Sequence, residues 1–426
     1  MTVLVIGSGW SGLTTAVLLA RQGQSVQVIE SAKHLGGRAR SVQWQNKTID
    51  NGQHILIGAY QQSLAMMKMV GVDLYAAFER LTIDISIHDT HYSPLQLSAA
   101  GRLPWPWSLA WNLVRSAGLP SIKHLITLQR SIPKLLAKSD ITVFDWLQTT
   151  KQPERLIKQL WEPLCLATLN TSIDHASAHV LAHVLRDSLG RDLACADLLI
   201  PKKPLGALFP EPAGKFIQQY GGQISLQTRI AEIVTEEGQV TGAVTTNGRF
   251  IDAKAIVVAA SPDQSAQLLA SHVRYPRPLH MPITTVYLQY PTNCHLPKTL
   301  LGLTGTVSHW LFDRSQQHPG MIAVVISGQG EHEKLDNDEL IAHVSAEVQQ
   351  CVSHFPTKPN SAFVIREKRA TFMCTVENHR RRPTTNTDIA GLFLAGDYVK
   401  NNYPATIEGA VINGQQCAEM ILQEHI

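Results

Sequence analysis

Three glycines and one acid near the start of the chain carry the first chemical signal. Gly7, Gly9 and Gly12 stand in G-x-G-x-x-G spacing, and Glu30 follows 18 residues after Gly12. In a dinucleotide site the first glycine permits a tight turn, the second lets backbone approach a pyrophosphate, and the third lets helix and strand pack closely. An acid at that distance accepts hydrogen bonds from a ribose diol and disfavours a 2′-phosphate. A second signal lies at the far end, where "LAGDYVKNNYPATIEGA" (394–410) puts Gly396 and Asp397 at the end of an apolar strand and then opens a helix near Pro404, Ala405 and Thr406. An acid and a fresh helix N-terminus directed at one spot point to a polar, anionic group, because free N–H groups and the macrodipole favour negative charge there.

The elements that position these residues are readable nearby. "VLVIGSGWSGLTTAVLLARQGQSVQVIE" (3–30) reads as strand, glycine turn, helix and second strand: Leu13, Ala16, Val17 and Ala20 share one helix face, and Gly23 stops that helix. Near the C-terminus Ile407, Val411, Gly414, Ala418 and Ile421 recur at helical spacing, and a proline in the first turn suits a position whose N–H would be unpaired. Strand, glycines, helix, strand and acid in register predict a Rossmann-like α/β domain that binds NAD or FAD.

With 426 residues the chain is long enough for two or three domains, and 44% hydrophobic with 17% charged residues is a globular composition. A net charge of +3, with no basic run interleaved with aromatics, argues against nucleic acid as a partner. Six scattered cysteines without C-x-x-C spacing suit a reducing cytoplasm, and neither a leader nor a spanning apolar run is expected. His175, His179 and His183 recur every fourth residue, but nothing beside them completes a zinc set, so they read as a histidine-rich helix face and no metal is expected. "GRLPWPWSLAWNLVRSAGLP" (101–120) places tryptophans among apolar residues between Arg102 and Arg115, a pattern suited to shallow membrane contact around Trp105 and Trp111.

Beyond Glu30, "HLGGRARS" sets Gly36, Gly37 and Arg38 ahead of Ser41, and His34 stands where the R-x-G-G-R-x-x-S pattern has its first arginine. Here the sequence resembles the flavin amine oxidase and phytoene desaturase superfamily. The resemblance implies FAD, with Arg38 near a phosphate, Gly396 and Asp397 against the ribityl and pyrophosphate, and Ala405 and Thr406 at the flavin N1/C2=O edge. It also implies that "LQTRIAEIV" (226–234) passes the adenine, with Ile230 nearest, and no cysteine between 391 and 413 favours a non-covalent flavin. The implied fold is α/β (α+β): a discontinuous FAD-binding domain (1–80, 205–270, 385–426) interleaved with a substrate domain (81–204, 271–384). The first insertion reads as mostly helical, with Thr142 a candidate N-cap, and the second as strands plus a helix.

"DNGQHILIGAY" (50–60), "LWEPLCLATLNT" (160–171), "LRDSLG" (185–190), "FPEPA" (209–213) and "WLFDR" (310–314) narrow the resemblance to squalene-associated FAD-dependent desaturases, understood as hydroxysqualene dehydroxylases. That implies hydride delivery from reduced flavin N5 to an allylic carbon of a C30 isoprenoid while the hydroxyl leaves as water. Such chemistry needs a held flavin, an acid near the hydroxyl and a dry apolar tunnel. His54, Asp50 and Glu162 are the candidate acids, and Arg186 and Asp187 are further charges in apolar surroundings. An electron donor to the flavin, which the sequence does not identify, completes the partners. The expected location is cytoplasmic, peripheral on the inner face of the membrane. A polyprenoid desaturase, an amine oxidase and a prenyl-lipid carrier are the rival readings.

Overall fold

The computed structural model describes residues 2–100, 105–189, 192–270 and 277–424. Its N-terminal strand, Thr2–Ile6, is the centre of a five-stranded parallel sheet in the order Gln223–Ser225, Ser25–Ile29, Thr2–Ile6, Ala255–Val258, Leu392–Leu394. A sheet covered on both faces needs strands that are apolar at every position. Val3, Val5, Val257 and Phe393 accordingly enter one hydrophobic core, while Leu4, Ile6, Ile256 and Leu394 enter another on the opposite face. The strands come from four separate stretches of sequence, so this sheet closes only when both ends and the middle of the chain have met.

Helix Trp10–Arg21 leaves the first strand directly and packs against the C-terminal helix Ile407–Gln423. Gly414 permits that contact, since a Cβ there would lie 2.5 Å from the Ser11 carbonyl oxygen. The C-terminal helix buries Val411, Gly414, Ala418 and Ile421 as its spacing predicts. Its start differs from the sequence expectation: Thr406 is the N-cap, accepting from Gly409 N at 3.1 Å, and Pro404 lies outside the helix. A side-chain oxygen in an extended residue satisfies a free N–H better than proline's mere lack of one.

The second unit is a seven-stranded mixed sheet, ordered Ser361–Phe372, His280–Gln289, Met321–Ser327, Trp310–Asp313, Leu300–Thr304, Asp84–Asp89, Leu95–Ser98. The last two strands belong to the insertion expected to be helical, and Leu300–Thr304 pairs in parallel with Asp84–Asp89 to recruit them. Helix Asn337–Cys351 covers one face through Leu340, Val344 and Val348, and begins with a capping box between Asp336 and Glu339.

The rest of the first insertion is helical. Thr142 caps Val143–Thr149 by accepting from Asp145 N. The sequence pattern predicts one continuous helix over "ERLIKQLWEPLCLATLN", but a π-helical turn spans Ile157–Trp161. Pro163 explains it: proline has no N–H to offer the carbonyl four residues earlier, so the spiral widens. Among the described residues no helix is long and apolar enough to cross a membrane.

Candidate functional site

Between the two sheets lies one cavity of about 1000 Å³. That is the upper end of the range for ligand sites, about 300–1,000 Å³. Its two ends differ in chemistry.

The polar end is built by the glycine turn. Gly7 has φ +108°, and a Cβ there would lie 2.5 Å from the Ala259 carbonyl oxygen; at Gly12 a Cβ would lie 2.3 Å from the Gly7 oxygen. Gly9 behaves oppositely, since among the described residues a Cβ on it would meet nothing within 4 Å beyond its own chain neighbours. The first and third glycines are therefore demanded by packing, whereas the second borders open space at the N-terminus of helix Trp10–Arg21. The Ser11 hydroxyl, in that helix's first turn, is buried without a partner among the described residues and belongs to a cavity-lining residue. Open backbone, free helix N–H groups and an orphaned hydroxyl together fit a pyrophosphate.

Glu30 lines the same end. Ser8 N and Oγ donate to its Oε2 at 2.8 and 2.7 Å, and Ala32 N to its Oε1 at 2.7 Å, which fixes the carboxylate at the end of strand Ser25–Ile29. Ile230, at the start of strand Ile230–Glu236, lines the cavity together with Thr228 and Arg229. Gly36 and Gly37 adopt φ +112° and +62°, and a Cβ on Gly37 would lie 3.2 Å from Gly9 Cα, so the second motif folds onto the first. Arg38 Nη2 donates to Asp397 Oδ2 at 2.6 Å and Nη1 to the Ala370 carbonyl at 2.7 Å. Two residues 359 apart in sequence are thus paired in the cavity wall, where Gly396, Ala405 and Thr406 also lie. His34 is exposed and outside the lining.

One residue that organises this wall escaped the sequence reading. Arg382 is 6% exposed and donates to the carbonyls of Asp397, Tyr398, Val399, Asn401 and Tyr403. Burial lowers its pKa to about 10, so it remains charged at neutral pH. Its only sequence signal was a run of arginines at 380–382 beside Pro383, which reads as surface. Close by, Glu408 turns back from the C-terminal helix to accept from Gln62 N, Ser63 N and Ser63 Oγ, capping helix Gln61–Met69. Burial pushes the Glu408 carboxyl up, against the pull of these donors.

The other end of the cavity is apolar, with Ile85, Leu164, Val184, Leu198, Trp310 and Phe312 in its wall. The three candidate acids part company here. His54 lines the cavity; its Nδ1 lies 2.9 Å from the Gly52 carbonyl oxygen, and because a carbonyl only accepts, Nδ1 carries the proton and Nε2 is left for exchange. Asp50 is not in the lining. Its Oδ1 accepts from Leu205 N at 2.8 Å, its carbonyl accepts from Tyr287 Oη at 3.1 Å, and burial raises its carboxyl pKa. Glu162 is also outside: it pairs with Lys158, four residues earlier on the same helical surface and 2.7 Å away. Asp187, by contrast, lines the cavity together with Tyr403.

Comparison with known proteins agrees with this geometry. Residues 10–422 match the family described as flavin containing amine oxidoreductase. Hydroxysqualene dehydroxylase of Zymomonas mobilis is 28% identical over 425 residues, covering 98% of each chain. The 15-cis-phytoene desaturase of Glycine max is 23% identical over 470 residues, covering 100% of this chain and 80% of its own. Among solved structures, cyclohexylamine oxidase of Brevibacterium oxydans superposes with a TM-score of 0.74 at 17% identity, covering 100% and 99% of the two chains. A match over nearly the whole length, joined to a parallel sheet, a glycine turn and an acid that fit FAD, shows that this chain belongs to the flavin containing amine oxidoreductase family and is an FAD-dependent oxidoreductase.

Proposed function

We propose that this chain carries out the FAD-dependent reductive dehydroxylation of hydroxysqualene to squalene, as a step of bacterial squalene and hopanoid synthesis. The observation that carries the reading is a single cavity whose wall joins the dinucleotide-fitting residues to an apolar set, with His54 also in the lining. Full-length similarity to hydroxysqualene dehydroxylase supports it. In this reading Gly9 and Arg38 receive the pyrophosphate, Glu30 the adenosine ribose, Ile230 the adenine, and Gly396, Asp397, Ala405 and Thr406 the ribityl and ring. Reduced FAD, when bound, supplies a hydride.

The chain supplies the rest. The Gly52 carbonyl holds the Nδ1–H of His54, so it is the imidazolium, formed when Nε2 takes up a proton from solvent before the site closes, that gives the Nε2 proton to the departing hydroxyl; the hydroxyl leaves as water while the allylic carbon gains hydrogen. The apolar wall excludes bulk water and aligns the polyprene. The test is anaerobic: reduced enzyme mixed with hydroxysqualene should reoxidise its flavin and yield squalene in equal amount. General acid catalysis is worth about 10²–10⁴-fold, so His54→Gln should slow reoxidation by about that factor with FAD content unchanged. A second reading, desaturation of a polyprene, is supported by the phytoene desaturase similarity; there the oxidised enzyme would bleach with a hydrocarbon polyprene and hydroxysqualene would leave the reduced flavin untouched.

We further propose that helices Trp105–Ala117 and Pro120–Leu136 rest on an anionic membrane surface. Residues 101–104 and the Trp105 side chain lie outside the described residues. Trp107, Trp111, Leu119 and Ile126 are 69%, 57%, 71% and 40% exposed, and Arg115, Lys123, Arg130, Lys134 and Lys138 are exposed around them. No acid occurs from 101 to 139, so the surface has one sign of charge. Each cation near an anionic lipid surface contributes about 1 kcal/mol, and tryptophan suits headgroup depth. The protein should cosediment with phosphatidylglycerol vesicles and far less with phosphatidylcholine vesicles, and Trp107→Ser with Trp111→Ser should weaken the first. Equal recovery from both vesicle types would count against the proposal.

A further inference from the structure

Tyr403 and Asp187 form a polar pair in the cavity wall that the proposed proton transfer does not use. Tyr403 Oη donates to Asp187 Oδ2 at 2.7 Å, and Arg186 Nε donates to Asp187 Oδ1 at 3.2 Å. The pair joins two distant parts of the fold, helix Ala178–Leu189 and the loop before the C-terminal helix, and is held on both sides. Tyr403 N donates to Asn401 Oδ1 at 2.8 Å, and the Tyr403 carbonyl accepts from Arg382 at 2.7 Å. Burial and the Asp187 carboxylate push the phenol well above its usual range, so it stays protonated.

The direction of the hydrogen bond decides what the pair can do. The phenol proton is committed to Asp187, which leaves the Tyr403 oxygen with lone pairs, so towards a ligand it is an acceptor. Two other polar side chains of the lining are occupied. Asn170 spends its amide on the Pro282 carbonyl, Thr371 Oγ1 and Gly328 N, and the Thr168 hydroxyl donates to the Leu164 carbonyl within its helix. A hydrocarbon chain has nothing to offer an acceptor here, whereas an alcohol carries the matching O–H donor.

Resting on the dehydroxylation proposed above, we infer that Tyr403, polarised by Asp187, is the positioning residue that accepts a hydrogen bond from the substrate hydroxyl and thereby selects an alcohol-bearing polyprene over its hydrocarbon. The hydroxyl then presents its own lone pair for protonation, and the departing water stays bound to Tyr403. Such selection is strong in principle, because a site built around a substrate hydroxyl leaves a buried polar group unpaired when the hydroxyl is missing.

The test is equilibrium binding to the oxidised holoenzyme, read by perturbation of the flavin spectrum, with hydroxysqualene and squalene as paired probes. Wild type should prefer hydroxysqualene by about 10-fold or more. Tyr403→Phe should abolish that preference at unchanged FAD content, and Asp187→Asn should reduce it while keeping the phenol. If Tyr403→Phe loses FAD, Asp187→Asn carries the test alone. Absence of preference in wild type, or its retention in both variants, would overturn the assignment. The anaerobic turnover above is read separately: turnover with a retained preference in the variants sinks the Tyr403 role alone, whereas a lost preference without turnover sinks the dehydroxylase reading alone.

Discussion

Arg382→Met is expected to yield a protein that retains little FAD and unfolds at a clearly lower temperature than wild type. One guanidinium serves five carbonyls of residues 397–403, and those residues lead into Tyr403, Ala405 and Thr406 in the cavity wall. Methionine keeps much of the packing volume against Phe372, over whose ring the guanidinium lies 5.0 Å from the centroid, but donates nothing. Stranding buried acceptors costs about 1–3 kcal/mol each when water cannot reach them, and breaking a buried charged network typically costs about 3–5 kcal/mol in total. Arg382→Lys should rescue only partly, because a lysine ammonium has three donors and lacks the planar fork. Flavin absorbance per chain and a thermal melt measure both effects. A variant that stays fully loaded would show that the loop is held by its other contacts.

The second large effect separates two glycines of one motif. Gly9→Val should fold but purify without flavin, whereas Gly12→Ala should fail to fold. Among the described residues a Cβ on Gly9 meets no atom within 4 Å beyond its own chain neighbours, and its φ −66° and ψ 171° suit a β-branched residue. The apoprotein therefore loses only about 1 kcal/mol for a poorer N-cap, while the added methyls occupy the approach of the pyrophosphate. At Gly12 the same atom would overlap the Gly7 carbonyl oxygen at 2.3 Å and the Ala259 Cβ at 2.9 Å, which neither strand nor helix can yield. Added FAD should raise the thermal midpoint of flavin-stripped wild type, because a ligand that binds only the folded state stabilises it by mass action. It should not move Gly9→Val. A Gly9→Val protein that binds FAD normally would place the pyrophosphate elsewhere.

The parts of this protein legible from its sequence are those whose signal is local. The glycine turn, the strand after it and Glu30 occupy one continuous stretch, and each type is demanded by backbone geometry that neighbours in sequence create. The C-terminal helix was legible because periodicity reports a buried face whatever packs against it, although its first residue was not, since Thr406 and Pro404 are both acceptable starts. Full-length resemblance supplied the cofactor and the order of the interleaved segments.

What tertiary structure alone decided is which charges meet. Asp50, His54 and Glu162 are equally suspicious as polar residues in apolar stretches, yet only His54 reaches the cavity. Glu162 pairs with Lys158, a neighbour four residues before it that was already within reach along the chain, whereas Asp50 Oδ1 accepts from Leu205 N, 155 residues away. The same holds for Arg382, which looks like surface until the loop of residues 397–403 wraps around it, and for Tyr403 with Asp187, 216 residues apart. A hydrogen bond is directional and spans about 3 Å, so its partner is set by where the chain returns in space. Composition and periodicity describe only what lies within a few residues along the chain.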